Sequence, residues 1–396
     1  MAIIGTIIVY LIMACALIGA LASVFDENSH LGNEFLNGIN SIGPIFLPVA
    51  GIMASAPYLT AFVTNVLSPW YELIGADPSM AATTLIAIDM GGYQLAHDLA
   101  QSKESWMMAS VTGYMSGASL VFSIPVALKM LNKEDHKYLA MGVMAGFLAI
   151  PVGVLASGLS IIVSEPFIRS AVATTGTADY QLQLTLSEVL LNLVPLALIC
   201  ILIAWGLYRI PSLMISGFIW LGRLMESALK LVFVCCVIEY FTGVFSTLLG
   251  SWGFEPIIAD ESDINRALEV AGYIGIMLCG AFPMVYLIKT YLSKLLSVVG
   301  TKFNLSVSAT TGILAASANV LALFAMVGQM KPEDKVKTIA YAVCCAFLLG
   351  DHLAFSANFQ PSMILPVMFG KLCGGILAVV IATKFVIPHV LSKSES

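Results

Sequence analysis

The chain has 396 residues, 59% of them hydrophobic and 11% charged, with a formal net charge of −6. A soluble domain carries about 25% charged residues, so this composition excludes one and names lipid as the solvent. The charges are scattered and no basic run occurs, which excludes nucleic acid and leaves membrane lipids as partners.

Taken in chain order, the first stretch, "MAIIGTIIVYLIMACALIGALASVF" (1–25), lacks a basic n-region and is too long for a signal peptide. It reads as a retained membrane helix. A span needs about 20 apolar residues. Further stretches of that kind lie near 41–67, 79–96, 105–130, 138–163, 187–209, 227–249, 267–289, 305–328, 336–360 and 361–388. Segment 211–224 is shorter and reads as interfacial. The longest linkers are 164–186 and 250–266. The predicted fold class is an all-α polytopic membrane protein of about 10–12 transmembrane helices, some broken or re-entrant. Residues 1–396 form one integral membrane domain. The eight cysteines all sit in apolar stretches without a C-x-x-C pair, so they read as small buried hydrophobes. No metal site and no cofactor are implied.

Lysine and arginine set the orientation. Loop 26–40 has neither and is expected outside, with the N-terminus inside. Loops 129–137, 209–230 and 289–302 are basic and expected inside. Loop 329–337, with Lys331, Lys335 and Lys337, then falls on the wrong side if 305–328 crosses. Segment 305–328 contains "SATTGILAASAN", which suits a re-entrant hairpin that would also bring Lys393 inside. The other repair is a plain violation of the rule. A possible internal repeat aligns 132–151 with 332–351 without gaps, sharing Lys137/Lys337, Ala140/Ala340, Val143/Val343 and Phe147/Phe347. Transporters are often built from repeats with the site between them.

Polar residues inside the apolar stretches carry the functional reading. Asp89 lies in "TTLIAIDMGGYQLA". An Asp at the bilayer centre costs about 2.5–3.5 kcal/mol on insertion scales, and two glycines after it loosen the helix. One reading is a neutral Asp bonded to a neighbouring helix; the other is a cation or proton site. Asp351 and His352 open "GDHLAFSANFQPS", followed by Asn358, Gln360 and Ser362, with Pro361 breaking the helix. That pattern reads as a broken transport helix, with a structural histidine as the alternative for His352. Lys371 in "MFGKLCGG" is too central to snorkel, so an ion pair with Asp351 or Asp89 is expected. Asn319, Thr83 and Thr84 fit interhelical hydrogen bonds. There is no G-x-x-x-x-G-K-[ST], H-E-x-x-H or G-x-S-x-G. The chain therefore reads as a pathway and not as an enzyme.

Several blocks together resemble one family: "GADPSMAATTLIAIDMGGYQLAHDLA" (75–100), "FSIPVAL" (122–128), "YLAMGVMAG" (138–146), "GAFPMVYL" (280–287), "GDHLAFSAN" (350–358) and "PVMFGKLCGG" (366–375). They are similar to the bacterial ethanolamine-utilisation permeases, in order, over about 70–380. The resemblance implies a multi-pass protein of the bacterial inner membrane that admits ethanolamine for catabolism. By position in these blocks Asp89, Asp351, His352, Asn358 and Lys371 carry over. Protonated ethanolamine is an ammonium with a hydroxyl two carbons away, and lipid blocks it. Asp89 or Asp351 is expected to take the ammonium, with Tyr93, His352, Asn358 and Gln360 around it, and Lys371 to hold the carboxylate when the site is empty. Two alternatives stay open: a proton- or sodium-coupled transporter of another small polar solute, and an intramembrane enzyme acting on lipid headgroups. A homo-oligomer is also left open.

Overall fold

The computed structural model describes residues 2–302 and 305–388. Lys393, and the side chains of Lys294 and Lys302 used in the orientation argument, lie outside the described residues. Helices dominate; the strands described form one two-stranded ribbon, Phe167–Ile168 against Tyr180–Gln181. Seven of the described helices are long and apolar enough to cross a membrane: Ile3–Phe25, His30–Ala54, Lys103–Met130, Lys133–Ser164, Leu186–Arg209, Ala267–Leu292 and Pro361–Val386. Burial differs sharply among them. The most apolar window of Lys103–Met130 is 83% buried, that of Ile3–Phe25 only 11%. The first is central; the second turns its leucines and isoleucines outward, as lipid allows.

Two segments that hydropathy presents as spans are helical hairpins. Helices Ser79–Leu85 and Gly92–Leu99 are separated by a turn at Ile86–Gly91. Their bases meet, because the backbone N–H of Gln101 donates to Asp77 Oδ2 at 3.0 Å. The stretch 79–96 therefore enters and leaves at one end. The tip needs glycine: Gly91 has φ +94°, and a Cβ there would lie 2.8 Å from Ile52 Cγ2. The second hairpin is Val307–Ala318 and Val320–Val327, bent at Asn319 (φ −152°, ψ 123°), whose side chain accepts from the Leu321 N–H at 2.9 Å. A straight helix would hold residues 312 and 323 about 16 Å apart. Here a Cβ on Gly312 would touch Leu323 Cδ1 at 3.0 Å, so the two arms fold back. Of the two readings of 305–328, this is the hairpin.

Each hairpin is followed by two long antiparallel elements. After the first come Lys103–Met130 and Lys133–Ser164; after the second come a broken helix, Pro332–Cys345 with Asp351–Phe359, and then Pro361–Val386. The two sets run in opposite senses. Helices His136–Ser164 and Pro332–Cys345 start side by side, where Lys335 Nζ meets Asp135 Oδ1 at 2.5 Å, and run parallel, with Gly142 against Ile339 and Gly146 against Val343. The second hairpin opens at that lysine-bearing end. The first opens at the other end, beside the loop after Ser164, where Tyr180 donates to Glu104. The stretches 132–151 and 332–351 thus pack in register, while the duplicated unit is a hairpin plus two crossings, repeated upside down.

Two orientation expectations change. Helix Ala2–Phe25 begins against Pro361, and its far end packs Ser23 on Gly32, level with the lysine end. Loop 26–29 therefore lies at the lysine end and the N-terminus at the other. An acidic loop carries no information under a rule that counts only lysine and arginine. Residues 211–242 form one continuous helix, Pro211–Thr242, in place of an interfacial piece and a separate span.

Candidate functional site

The tips of the two hairpins and the break in Pro332–Phe359 converge at mid-depth. The break spans residues 346–350, with Phe347 at φ 60°. Two of its amides are satisfied by the second hairpin: Phe347 N–H donates to Ala316 O at 3.0 Å and Leu349 N–H to Ser317 O at 2.7 Å. The opposite wall comes from residues 113–123, which are π-helical within Lys103–Met130. π-helical insertions recur at functional sites because they displace carbonyls from the regular ladder.

Between these elements lies a cavity of about 530 Å³. The first hairpin contributes Ala87, Asp89 and Met90; the second Ala318 and Asn319; the break Phe347 and the start of the helix after it Asp351 and His352; the π segment Ala118 and Phe122. Asp89 and Asp351 thus line the same cavity. The cavity reaches toward the lysine end, where Glu34, Asn37, Tyr286 and Lys289 line it. Sequence reading missed those four. It treated 26–40 as a loop and Lys289 as a topology marker. The signal was present: Ser29 caps a helix at His30–Asn40, accepting from Gly32 N–H, and Glu34, Asn37 and Ser41 recur at helical spacing on one face.

His352 is 1% exposed. Its Nδ1 faces Lys371 Nζ at 2.9 Å, and Lys371 Nζ also donates to the Tyr114 carbonyl at 2.7 Å. The other ring nitrogen, Nε2, has no hydrogen-bond partner among the described residues and stands 3.9 Å from Asp89 Oδ1. The expected pairing of Lys371 with a carboxylate is not what the structure contains. No ion pair joins Lys371 to Asp89 or Asp351 among the described residues; the imidazole stands between. The reason is local: the π segment presents the Tyr114 carbonyl to Lys371.

Tyr93, Asn358 and Gln360 lie elsewhere. Helix Asp351–Phe359 rises about 1.5 Å per residue, so Asn358 is roughly 10 Å beyond Asp351. Asn358 Nδ2 donates to the Tyr273 and Ala354 carbonyls. Gln360 Nε2 donates to Tyr93 Oη at 2.9 Å and to Arg169 O at 2.9 Å, while its Oε1 accepts from Arg169 N–H. Arg169 Nη1 donates to the Asn358 and Phe359 carbonyls. These groups clasp the loop after Ser164 onto the end opposite the lysines. Tyr93 packs on Trp106 at 4.7 Å and Phe355 at 5.3 Å below that clasp. Thr83 and Thr84 donate to carbonyls four residues back in their own helix, and the Thr84 side chain also meets Tyr71 of the helix before it.

An inverted pair of hairpin units whose tips meet at a cavity lined by charged residues is the arrangement of a multi-pass membrane transporter. Among the described residues no group of three or more His, Cys, Asp or Glu is placed to hold a metal ion. The chain belongs to the EutH family, described as ethanolamine utilisation protein, whose model matches residues 4–385. It is 35% identical over 379 residues to a probable ethanolamine permease EutH of Listeria monocytogenes, covering 96% of this chain and 93% of that one. It is 37% identical over 365 residues to a probable ethanolamine permease EutH of Escherichia coli, covering 90% of this chain and 85% of that one. An uncharacterised Bacillus subtilis protein, YxeR, is 32% identical over 372 residues, covering 94% and 92%. No solved structure matches. The relatives named for an activity are permeases, not enzymes.

Proposed function

We propose that this chain is an ethanolamine permease of a bacterial cytoplasmic membrane, and that the cation rests in the cavity shared by Asp89 and Asp351. The observation that carries this is the placement of two carboxylates on separate broken elements in one cavity, with no lysine or arginine ion-paired to either among the described residues. Intramembrane carboxylates in that condition call for a cation. A protonated primary amine supplies one, and its hydroxyl matches the neutral donors and acceptors nearby. The apolar walls, Phe122, Phe282 and Phe347, suit the two methylenes of the substrate. The names of the relatives support the same substrate.

The test is uptake of labelled ethanolamine into proteoliposomes, challenged with unlabelled choline, amino acids and nucleosides. Competition by ethanolamine alone is expected. Uptake of another solute in place of ethanolamine would remove the reading.

A further inference from the structure

The cavity holds a feature that binding a cation does not use. His352 Nε2 is buried, has no hydrogen-bond partner among the described residues and stands 3.9 Å from Asp89 Oδ1, in a residue that lines the cavity together with Asp89. A buried donor left unpaired is costly, so such groups mark unmet partners. The ring cannot turn to find one within the protein. Its Nδ1 is held by Lys371, Lys371 is held by the Tyr114 carbonyl, and Tyr114 and Phe347 pack against the ring at 5.0 and 5.4 Å. As an ammonium Lys371 can only donate, so Nδ1 accepts and Nε2 carries the ring proton.

The gap is therefore bounded by an N–H donor on one side and a carboxylate acceptor on the other. At 3.9 Å it is too long for a direct bond. An oxygen placed about 2.8 Å from both would see them at roughly 90°, close to the geometry of a hydroxyl that accepts once and donates once. An ammonium cannot fill it, because it has no lone pair for Nε2–H. We infer that His352 and Asp89 together read the substrate hydroxyl, that Asp351 takes the ammonium, and that Lys371 is a positioning residue which fixes the imidazole. This inference rests on the permease reading and deepens it: the preferred substrate is a β-amino alcohol, not a simple alkylamine.

The experiment compares uptake of labelled ethanolamine and labelled ethylamine in proteoliposomes, with variants reconstituted at equal amounts. Wild type is expected to favour ethanolamine by about 10- to 100-fold in kcat/KM. His352→Leu and Lys371→Met bring that ratio to within a few-fold while ethylamine uptake persists. His352→Gln, which keeps a side-chain N–H, restores most of the preference. Asp351→Asn lowers both amines together. A wild type that transports both amines equally overturns the inference and leaves the permease reading intact. An unchanged ratio in His352→Leu or Lys371→Met also overturns it. Uptake of neither amine by wild type overturns the permease reading itself.

Discussion

Lys335 and Asp135 supply the sharpest stability test. Their side chains are 10% and 8% exposed and meet at 2.5 Å, joining the starts of two parallel helices. At an effective dielectric near 20, the direct attraction at that distance is about 7 kcal/mol. Desolvation of each ion costs several kcal/mol and cancels most of it. The net worth of the intact pair is therefore small, but an orphaned partner retains its desolvation cost. Lys335→Met should destabilise by about 3–5 kcal/mol and Asp135→Leu by a similar amount. The double variant should recover most of that loss, because neither charge remains buried alone. Unfolding midpoints of purified protein in one detergent, for the two single variants and the double, measure this. A double variant no more stable than the worse single would refute the reasoning and the pairing with it.

Other outcomes follow from the same geometry. Gly91→Ala, which forces a Cβ into the left-handed region beside Ile52, should lose uptake and stability by about 1–2 kcal/mol or more. Gly217→Ala, where a Cβ meets nothing within 4 Å, should leave uptake unchanged; equal loss in both would contradict the role given to the hairpin tip. Cysteines at Glu27 and Glu134, both exposed at the lysine end, should react with an impermeant maleimide from the same face of the membrane, and one at Ser262 from the other; labelling of Glu27 and Ser262 from one face would reverse the placement of the first helix. A primary amine titrates near 10, so neutral ethanolamine falls about tenfold per pH unit below that. Growth or uptake should therefore depend most on the protein at acidic pH, and protein-independent uptake there would count against the account.

Much of the site was legible because polar residues in apolar stretches are costly and hence conspicuous. Asp89 before two glycines and Asp351–His352 before a proline were marked that way, and all three line the cavity. The second hairpin was visible as small polar residues at 305–328 combined with a lysine count that failed. The first was not. Hydropathy registers how apolar 79–96 is, not that Asp77 returns to Gln101 across 24 residues. Asn358 and Gln360 were grouped with Asp351 by closeness in sequence, whereas a helix separates them by its rise. Lys371 was assigned a carboxylate because charge pairing is the simplest expectation; the carbonyl that holds it is exposed by a π-helical stretch that leaves no mark in residue types. Glu34 and Asn37 were hidden by the absence of lysine in their segment, which made a cavity-lining helix resemble a loop.

The most direct measurement of the central claim is uptake of labelled ethanolamine into proteoliposomes at mildly acidic pH by wild type, Asp89→Asn and Asp351→Asn at equal protein levels. The account predicts robust wild-type uptake, and loss of about ten-fold or more in each variant, the scale of one charge-assisted contact. Wild-type uptake matched by both variants would show that the carboxylates of the cavity are not where the cation is held.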